Sequence, residues 1–319
     1  YVALSDSLAK YLKRLESVTQ SSRGSERVSL FQVGALADIV RRGHLNAETD
    51  AEYGERLARI DESASFNPPV PAALKAELRD YQEEGFRGMA RLDHWGAGAC
   101  LADDMGLGKT VQTIAFLLYK AKSGASLVVA PASVLMNWTR ELARFAPSLN
   151  VVVLNEQDDR TDALKGIGEY DVVLTTYGLL VREKEALSSV QWNVVCLDEA
   201  HTIKNRGTKM SDAAMSLKAS SRVILTGTPV QNYLGELWNL FQFLNPGLLG
   251  SYESFHQKFI APIENSEDKD RQSQLKRIIQ PFMLRRTKSE VIEELPEKTE
   301  IYRSVPMSAA ETLAYEAMR

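Results

Sequence analysis

Apolar and polar positions change rhythm twice along this chain. Up to about Ser65 the apolar positions recur at helical spacing. Leu4, Leu8, Leu12 and Leu15 form one stripe, SLFQVGALADIV supplies a second, and SSRGSE reads as a loop between them. FNPPVP (Phe66–Pro71) interrupts the pattern and predicts a domain boundary. AALKAELRDYQEEGFRGMARL then returns to helical spacing. Beyond it, short apolar runs alternate with helix-favouring segments. Strands are predicted near Ala99–Ala102, Ser126–Ala130, Asn150–Leu154, Asp171–Thr175, Trp192–Leu197 and Arg222–Leu225, and helices over 109–122, 133–145, 158–167, 178–187 and 208–218. Runs such as LVVAP and VVVL are apolar without alternation, as in strands covered on both faces. This alternation predicts an α/β fold with a doubly wound parallel sheet, whose ligands bind at the carboxyl ends of the strands.

The rhythm stops after GELWNLFQFL (235–244), an apolar helix. From about Asn245 to Pro296 the chain reads as helical and charged, with a polar loop at ENSEDKDRQSQ, and forms an appendage rather than more sheet. IYRSVP and the residues after it predict a strand and a new helix, the entry to a further domain. The predicted division is a helical segment (1–66), an α/β lobe (67–245), a helical protrusion (246–296) and a connecting stretch (297–319).

Composition narrows the class without naming the chemistry. With 319 residues, 44% hydrophobic and 25% charged, the chain has the make-up of a globular protein with a sizeable core. No apolar run approaches the ~20 residues of a membrane span. No signal peptide is visible, and a chain that starts at Tyr1 reads as a fragment. Cys100 and Cys196 lie in apolar runs and read as buried thiols of a reducing compartment. His44, His94, His201 and His256 are scattered without metal-ligand spacing, so no zinc site is predicted. A net charge of −4 argues against a generally basic nucleic-acid binder, while local clusters and helix ends stay available for that role.

The candidate chemistry starts at GACLADDMGLGKTVQT (98–113). A short strand, a glycine-bearing loop and a helix N-terminus together make a phosphate cradle. Lys109 would reach the outer phosphates and the Thr110 hydroxyl would hold Mg²⁺. Asp103 stands where the strict GxxxxGK[ST] pattern has a glycine. DEAH (198–201) ends the apolar run NVVCL. There Asp198 would bind the metal, and Glu199 would orient and deprotonate the attacking water. An acidic helix start would also explain the pair taken alone.

LRDYQ (78–82), LADDMGLGKTVQT (101–113), VVAPASVLMNW (128–138), VLTTYG (173–178), LDEAHTIKN (197–205), LTGTPVQN (225–232), ELWNLFQFLNP (236–246) and FMLRRTK (282–288) follow in order. This series, spanning about residues 75–300, resembles the Swi/Snf-type branch of the superfamily-two helicase-like ATPases. The family's own loop carries an acidic residue where Asp103 stands. The resemblance implies a motor of two RecA-like lobes with ATP and Mg²⁺ between them, translocating on double-stranded DNA without separating its strands and remodelling protein bound there. It implies that Gln82 reads the adenine and that Asp103, Asp104, Met105, Gly106, Leu107, Gly108, Lys109 and Thr110 wrap the phosphates. It further implies that His201 and the Thr226–Thr228 loop couple nucleotide state to DNA, and that Ser133, Thr175 and Thr176 touch the DNA backbone. The second lobe would follow Pro306, and residues 1–319 alone would hydrolyse ATP poorly.

Elementary chemistry leaves some of these roles open. Ser133 could cap the helix VLMNWTRELARF or offer free N–H groups to a phosphate, and Thr175 and Thr176 could be capping residues or sugar–phosphate contacts. Trp138, beside Leu135 and Leu142, reads as core rather than as a base-stacking platform. Lys204 and Asn205 face either DNA or solvent. Arg285, Arg286 and Lys288 either bind DNA backbone or pair with the acidic stretch Glu290–Glu294. Two other functions fit part of the pattern: a strand-separating DEAH-type helicase and a nucleotide-gated DNA-binding scaffold without turnover. Short loops between the motifs favour a bacterial protein of the nucleoid, with the nucleus as the site if the source is eukaryotic.

Overall fold

Parallel strands need crossovers, and this chain supplies a helix between almost every pair of them. The computed structural model describes residues 19–22, 25–42, 51–227, 233–291, 307–308, 311 and 315–317. Near the N-terminus, β1 (Thr19–Ser22) and β2 (Ser25–Val28) form an antiparallel pair with Thr19 opposite Val28. The described residues of the predicted loop SSRGSE, Ser21, Ser22, Ser25 and Glu26, are therefore strand. Helices α1 (Val33–Arg42) and α2 (Ala51–Ser63) follow, the first entered through a 3₁₀ turn capped by Ser29. The leucine stripe Leu4–Leu15 lies outside the described residues.

FNPPVP lies within the compact unit that runs to Thr287. Phe66 stacks on His94 at 4.3 Å, and Arg91 donates through Nε to the Phe66 carbonyl at 3.0 Å. Asn67 adds a further link to α3 (Asp80–His94), its Oδ1 accepting from Arg91 Nη2 at 2.9 Å. Helical spacing upstream of Asp80 is not realised as helix: residues 72–79 are irregular.

After α3 come β3 (Ala99–Leu101), α4 (Lys109–Lys120), β4 (Ser126–Ala130), α5 (Ala132–Phe145), β5 (Asn150–Val153), α6 (Arg160–Ala163) and β6 (Asp171–Thr176). Then follow α7 (Tyr177–Arg182), α8 (Lys184–Ser189), β7 (Gln191–Leu197), α9 (Lys209–Met215) and β8 (Lys218–Leu225). Every predicted strand is present. β4 is wholly buried and β7 is buried from Trp192 onward, so both kinds of alternating side chain are covered. Two groups of helices provide the cover: α3, α4 and α5 pack together, as do α7, α9 and α10 (Leu234–Leu244).

The appendage holds α11 (Tyr252–Phe255), a π-helical turn at His256–Ile260, α12 (Ala261–Ser266) and α13 (Lys269–Ile279). Most of the predicted polar loop is thus helix. Asp268 caps α13 by accepting from the N–H groups of Asp270 and Arg271 at 3.0 Å each. The chain then does what its pattern does not announce and returns to the sheet. Strand β9 (Met283–Leu284) pairs in parallel with β3, and the spatial order is β5-β6-β4-β7-β8-β3-β9 with every neighbouring pair parallel. The predicted protrusion of 246–296 therefore includes sheet at 283–284.

Residues up to Thr287 form one compact unit and Lys288–Arg319 a second. In the second unit, α14 (Lys288–Val291) is described, and Ser308 donates through its N–H and its hydroxyl to the Glu311 carboxylate at 2.8 Å each. IYRSVP lies outside the described residues. No helix among the described residues is long and apolar enough to cross a membrane.

Candidate nucleotide site at the carboxyl edge of the sheet

Because all seven strands run the same way, β3 and β7 deliver their following loops to the same edge, with β8 between them. Residues 102–108 lead from β3 into α4, whose N-cap is Gly108 at φ +77°. A side chain is strained in that left-handed conformation, and a Cβ on Gly108 would also come within 2.5 Å of Gln82 Nε2. Only glycine lets the loop turn this tightly against α3. The Lys109 ammonium lies over the loop, donating to the carbonyls of Asp103 at 2.7 Å and Asp104 at 3.4 Å. Thr110 is half-buried in the first turn of α4.

Gln82 bridges two elements. Its amide oxygen accepts from the Arg79 N–H at 3.0 Å, and its Nε2 donates to the Leu107 carbonyl at 3.2 Å. The residue predicted to read adenine thus lies against the phosphate loop. Of the other loop residues, Met105 is 72% exposed and Leu107 is buried. Gly106 is exposed and Asp104 is half-buried.

Asp103 requires a correction. Its side chain is fully buried and does not face the cradle. Oδ1 accepts from the backbone N–H and Nε of Arg286 at 3.0 Å each, and Oδ2 accepts from Arg286 Nη2 at 2.7 Å and Gln112 Nε2 at 3.2 Å. A carboxylate committed this way cannot also wrap phosphates, where its charge would be repulsive. Only the Asp103 backbone remains in the loop. The partner corrects a second reading, since Arg286 pairs with Asp103 rather than with DNA or Glu290–Glu294. Arg285 beside it is exposed.

At the end of β7, the Asp198 N–H donates to the Val129 carbonyl at 2.8 Å. Both carboxylate oxygens are held: Oδ1 by the Glu199 N–H and Oδ2 by Trp138 Nε1, each at 2.8 Å. Burial pushes the Asp198 carboxyl above its ordinary value. The Trp138 and Glu199 hydrogen bonds oppose that rise, the Glu199 charge adds to it, and the Lys109 charge lowers it. Tyr177 donates its hydroxyl to the Asp198 carbonyl at 2.7 Å. Burial first, and then the charges of Asp198, Cys196 and Glu199, hold that phenol well above its usual range, so it stays a donor.

Glu199 has φ +46°, a left-handed conformation rare for a residue with a side chain. It turns the chain sharply, and the carboxylate stays partly exposed beside His201, with Oε2 3.3 Å from His201 Nδ1. Both residues are half-buried, the Asp198 carboxylate held by Trp138 and the Glu199 N–H and the Glu199 carboxylate set beside His201.

The predicted DNA-facing residues divide. Ser133 is exposed in the first turn of α5, but Pro131 occupies the cap position, so Ser133 does not cap the helix. Thr175 is fully buried in β6, and its hydroxyl has no partner in the structure. It cannot reach a phosphate from there. Thr176 caps α7, accepting from the Leu179 N–H at 3.3 Å, and accepts from Asn155 Nδ2 at 3.2 Å. Thr226 is buried, with its N–H donating to the Leu101 carbonyl at 3.2 Å. Thr228 lies outside the described residues. Lys204 pairs with Glu236 at 3.0 Å rather than standing free for DNA. Trp138 is core, as its neighbours predict, but its grip on Asp198 is a role that its sequence position does not signal.

The residues fit a magnesium nucleotide. The loop turns through Gly108 at φ +77°, the Lys109 ammonium lies over its carbonyls, and the Asp198 carboxylate stands at the same sheet edge. Mg²⁺ is commonly held by one or two carboxylates together with substrate phosphates, so no dense ligand cluster is needed. Among the described residues there is no group of three or more His, Cys, Asp or Glu placed to hold a metal.

A glycine-bearing loop after one strand and an acidic end on another, at the same edge of a doubly wound parallel sheet, define a P-loop ATPase lobe of the RecA-like kind. The chain belongs to the SNF2-related domain family, whose model matches residues 81–319. It is 46% identical to the putative ATP-dependent helicase/translocase YwqA of Bacillus subtilis, over 99% of this chain and 34% of that protein. It is 36% identical to the transcription regulatory protein SNF2 of Saccharomyces cerevisiae, over 85% of this chain and 17% of that one. Among solved structures, the Sulfolobus solfataricus SWI2/SNF2 ATPase core in complex with dsDNA matches with a TM-score of 0.65 and 44% identity, over 77% of this chain and 53% of that one. The chain thus spans about a third of its Bacillus relative and about half of the archaeal core.

Proposed function

We propose that this chain is the ATP-binding lobe of a DNA-dependent ATPase that translocates on double-stranded DNA and remodels protein–DNA complexes. The observation that supports this reading is that the Lys109 loop, which follows β3, and Asp198, which follows β7, lie at the same edge of the parallel sheet. Lys109 binds the outer phosphates, and Thr110 and Asp198 hold Mg²⁺. Bound magnesium neutralises charge developing on the transferred phosphoryl group. Glu199, partly exposed on its strained turn, aligns the attacking water and takes its proton. Gln82 contacts the adenine end while holding the loop. His201, beside Glu199, carries the state of the site outward together with Thr226 and Thr228, and Ser133 offers its exposed hydroxyl and N–H to the DNA backbone.

Full turnover calls on arginines of a second lobe in the same full-length protein, a contribution of ~10³–10⁵ in related phosphoryl transfer. Residues 1–319 alone bind nucleotide weakly and turn it over slowly. The working place is the DNA itself, the nucleoid in a bacterial source.

The test is ATP hydrolysis by the full chain with and without linear duplex DNA, paired with displacement of a triplex-forming strand. DNA-stimulated turnover and triplex displacement are expected, and both should be lost in Lys109→Ala. ATP-dependent unwinding of a forked duplex would instead identify a strand-separating helicase. Duplex binding that is indifferent to Glu199→Gln, with no turnover, would identify a scaffold.

A further inference from the structure

Arg286 is the last long side chain before the compact unit ends at Thr287, and it is spent entirely inward. Its guanidinium reaches three separate elements. Nε and Nη2 engage the two oxygens of Asp103, Nη2 also donates to Gln112 Oε1 at 3.0 Å, and Nη1 donates to the Tyr81 carbonyl. Its ring-like face lies over Tyr81, with the central carbon 5.6 Å from the ring centroid. The main chain repeats the linkage. The Asp104 N–H donates to the Arg286 carbonyl at 3.0 Å, and the Ala102 N–H donates to the Leu284 carbonyl at 2.7 Å.

Asp103 and Asp104 open the phosphate loop, Gln112 lies in the helix that the loop feeds, and Tyr81 precedes Gln82. The segment leaving the unit is therefore fastened to both walls of the nucleotide site. Gly85 on α3 makes room for this. A Cβ there would lie 1.8 Å from Gln112 Oε1 and 2.6 Å from Arg286 Nη2.

The geometry points to Arg286 as a positioning residue for the nucleotide site, holding the phosphate loop and the start of α3 in register through Asp103, Gln112 and Tyr81. A lysine cannot substitute, because a single ammonium cannot span a carboxylate, an amide and a carbonyl in one planar fork. Since the bonds run from residues 284–286 to the loop, displacement of the chain where it leaves the unit changes the loop that grips phosphate. Arg286 thereby makes nucleotide affinity depend on the position of whatever follows Thr287. This inference rests on the nucleotide reading of the site.

The experiment is a fluorescence titration of the full chain with mant-ADP and Mg²⁺, with KM and kcat for ATP measured beside it. Arg286→Lys is expected to weaken mant-ADP by about tenfold or more, the scale of one charge-assisted hydrogen bond, with KM rising in step and kcat changing less. Gly85→Ala leaves Arg286 and Asp103 in place but intrudes on their geometry, and it should weaken binding in the same way. Arg285→Ala, at the exposed neighbour, should bind like the wild type. If Arg286→Lys and Gly85→Ala lower only the melting temperature and bind mant-ADP as the wild type does, the positioning role is refuted. If Arg286→Lys does not fold, Gly85→Ala decides alone. A wild type that binds no mant-ADP overturns the nucleotide reading itself, and this inference with it.

Discussion

Replacing Trp138 by phenylalanine should separate its two contributions, packing and the hold on Asp198. The indole is buried and donates to Asp198 Oδ2 at 2.8 Å. Losing a hydrogen bond to a charged group removes about 1.5–3 kcal/mol of stabilisation from the ionised carboxylate and so raises its pKa. The smaller ring also leaves unfilled space, a fraction of the ~3–5 kcal/mol of a full truncation and on the order of 1–2 kcal/mol. These terms have different pH signatures. Burial already raises the folded-state pKa of Asp198, so the ionised group weakens the fold once pH climbs through that value. The variant raises it further. Its added loss is present above the new pKa and fades as the medium becomes acid enough to protonate Asp198, whereas the packing loss does not depend on pH.

Thermal unfolding at pH 8 and pH 5 reads this directly: the gap between variant and wild type should be wider at pH 8. Protons also compete with metal at a more basic carboxylate. The Mg²⁺ concentration that half-saturates ATP turnover should therefore rise in the variant, and the acid limb of the rate profile should move to higher pH. An equal gap at both pH values together with an unchanged Mg²⁺ dependence would refute the claim that the indole holds this carboxylate.

Glu199→Gln should bind nucleotide normally but lose about 10²–10⁴ in turnover, measured by single-turnover hydrolysis, because it keeps the shape of the side chain and removes the base. Gly108→Ala should lose roughly 1–2 kcal/mol from its left-handed backbone alone and bind mant-ADP weakly, since the new methyl group meets Gln82. Thr175→Val should be neutral or stabilising by up to about 1 kcal/mol in denaturant unfolding, with duplex affinity unchanged, because the buried hydroxyl it removes has no partner. Weakened duplex binding in that variant would restore Thr175 to the DNA interface.

The parts of this protein legible in its sequence are those whose cause is local. Unbroken apolar runs mark strands buried on both faces, and all six predicted strands appear in the sheet. GLGKT and DEAH each carry their geometry within a few residues, through a left-handed glycine and a strand end. The N-terminal segment was less legible because short polar strands such as Thr19–Ser22 carry no apolar alternation to distinguish them from a loop. Strand β9 is two residues long, too short for any period to show, and it exists because β3 presents an open edge beside it.

Only the tertiary structure decided how the charged and polar side chains are spent. Arg286 and Asp103 are far apart in the chain, as are Trp138 and Asp198, and nothing in either neighbourhood names the other. Asp103 reads as a phosphate-loop residue and is a buried anchor, Thr175 reads as a cap or a sugar–phosphate contact and is core, and Lys204 reads as facing DNA or solvent and is paired with Glu236. The physical reason is that hydrophobic periodicity is imposed by the backbone's own repeat, residue by residue. The partner of a buried charge is set by which distant segments the sheet brings within about 3 Å, the reach of a hydrogen bond.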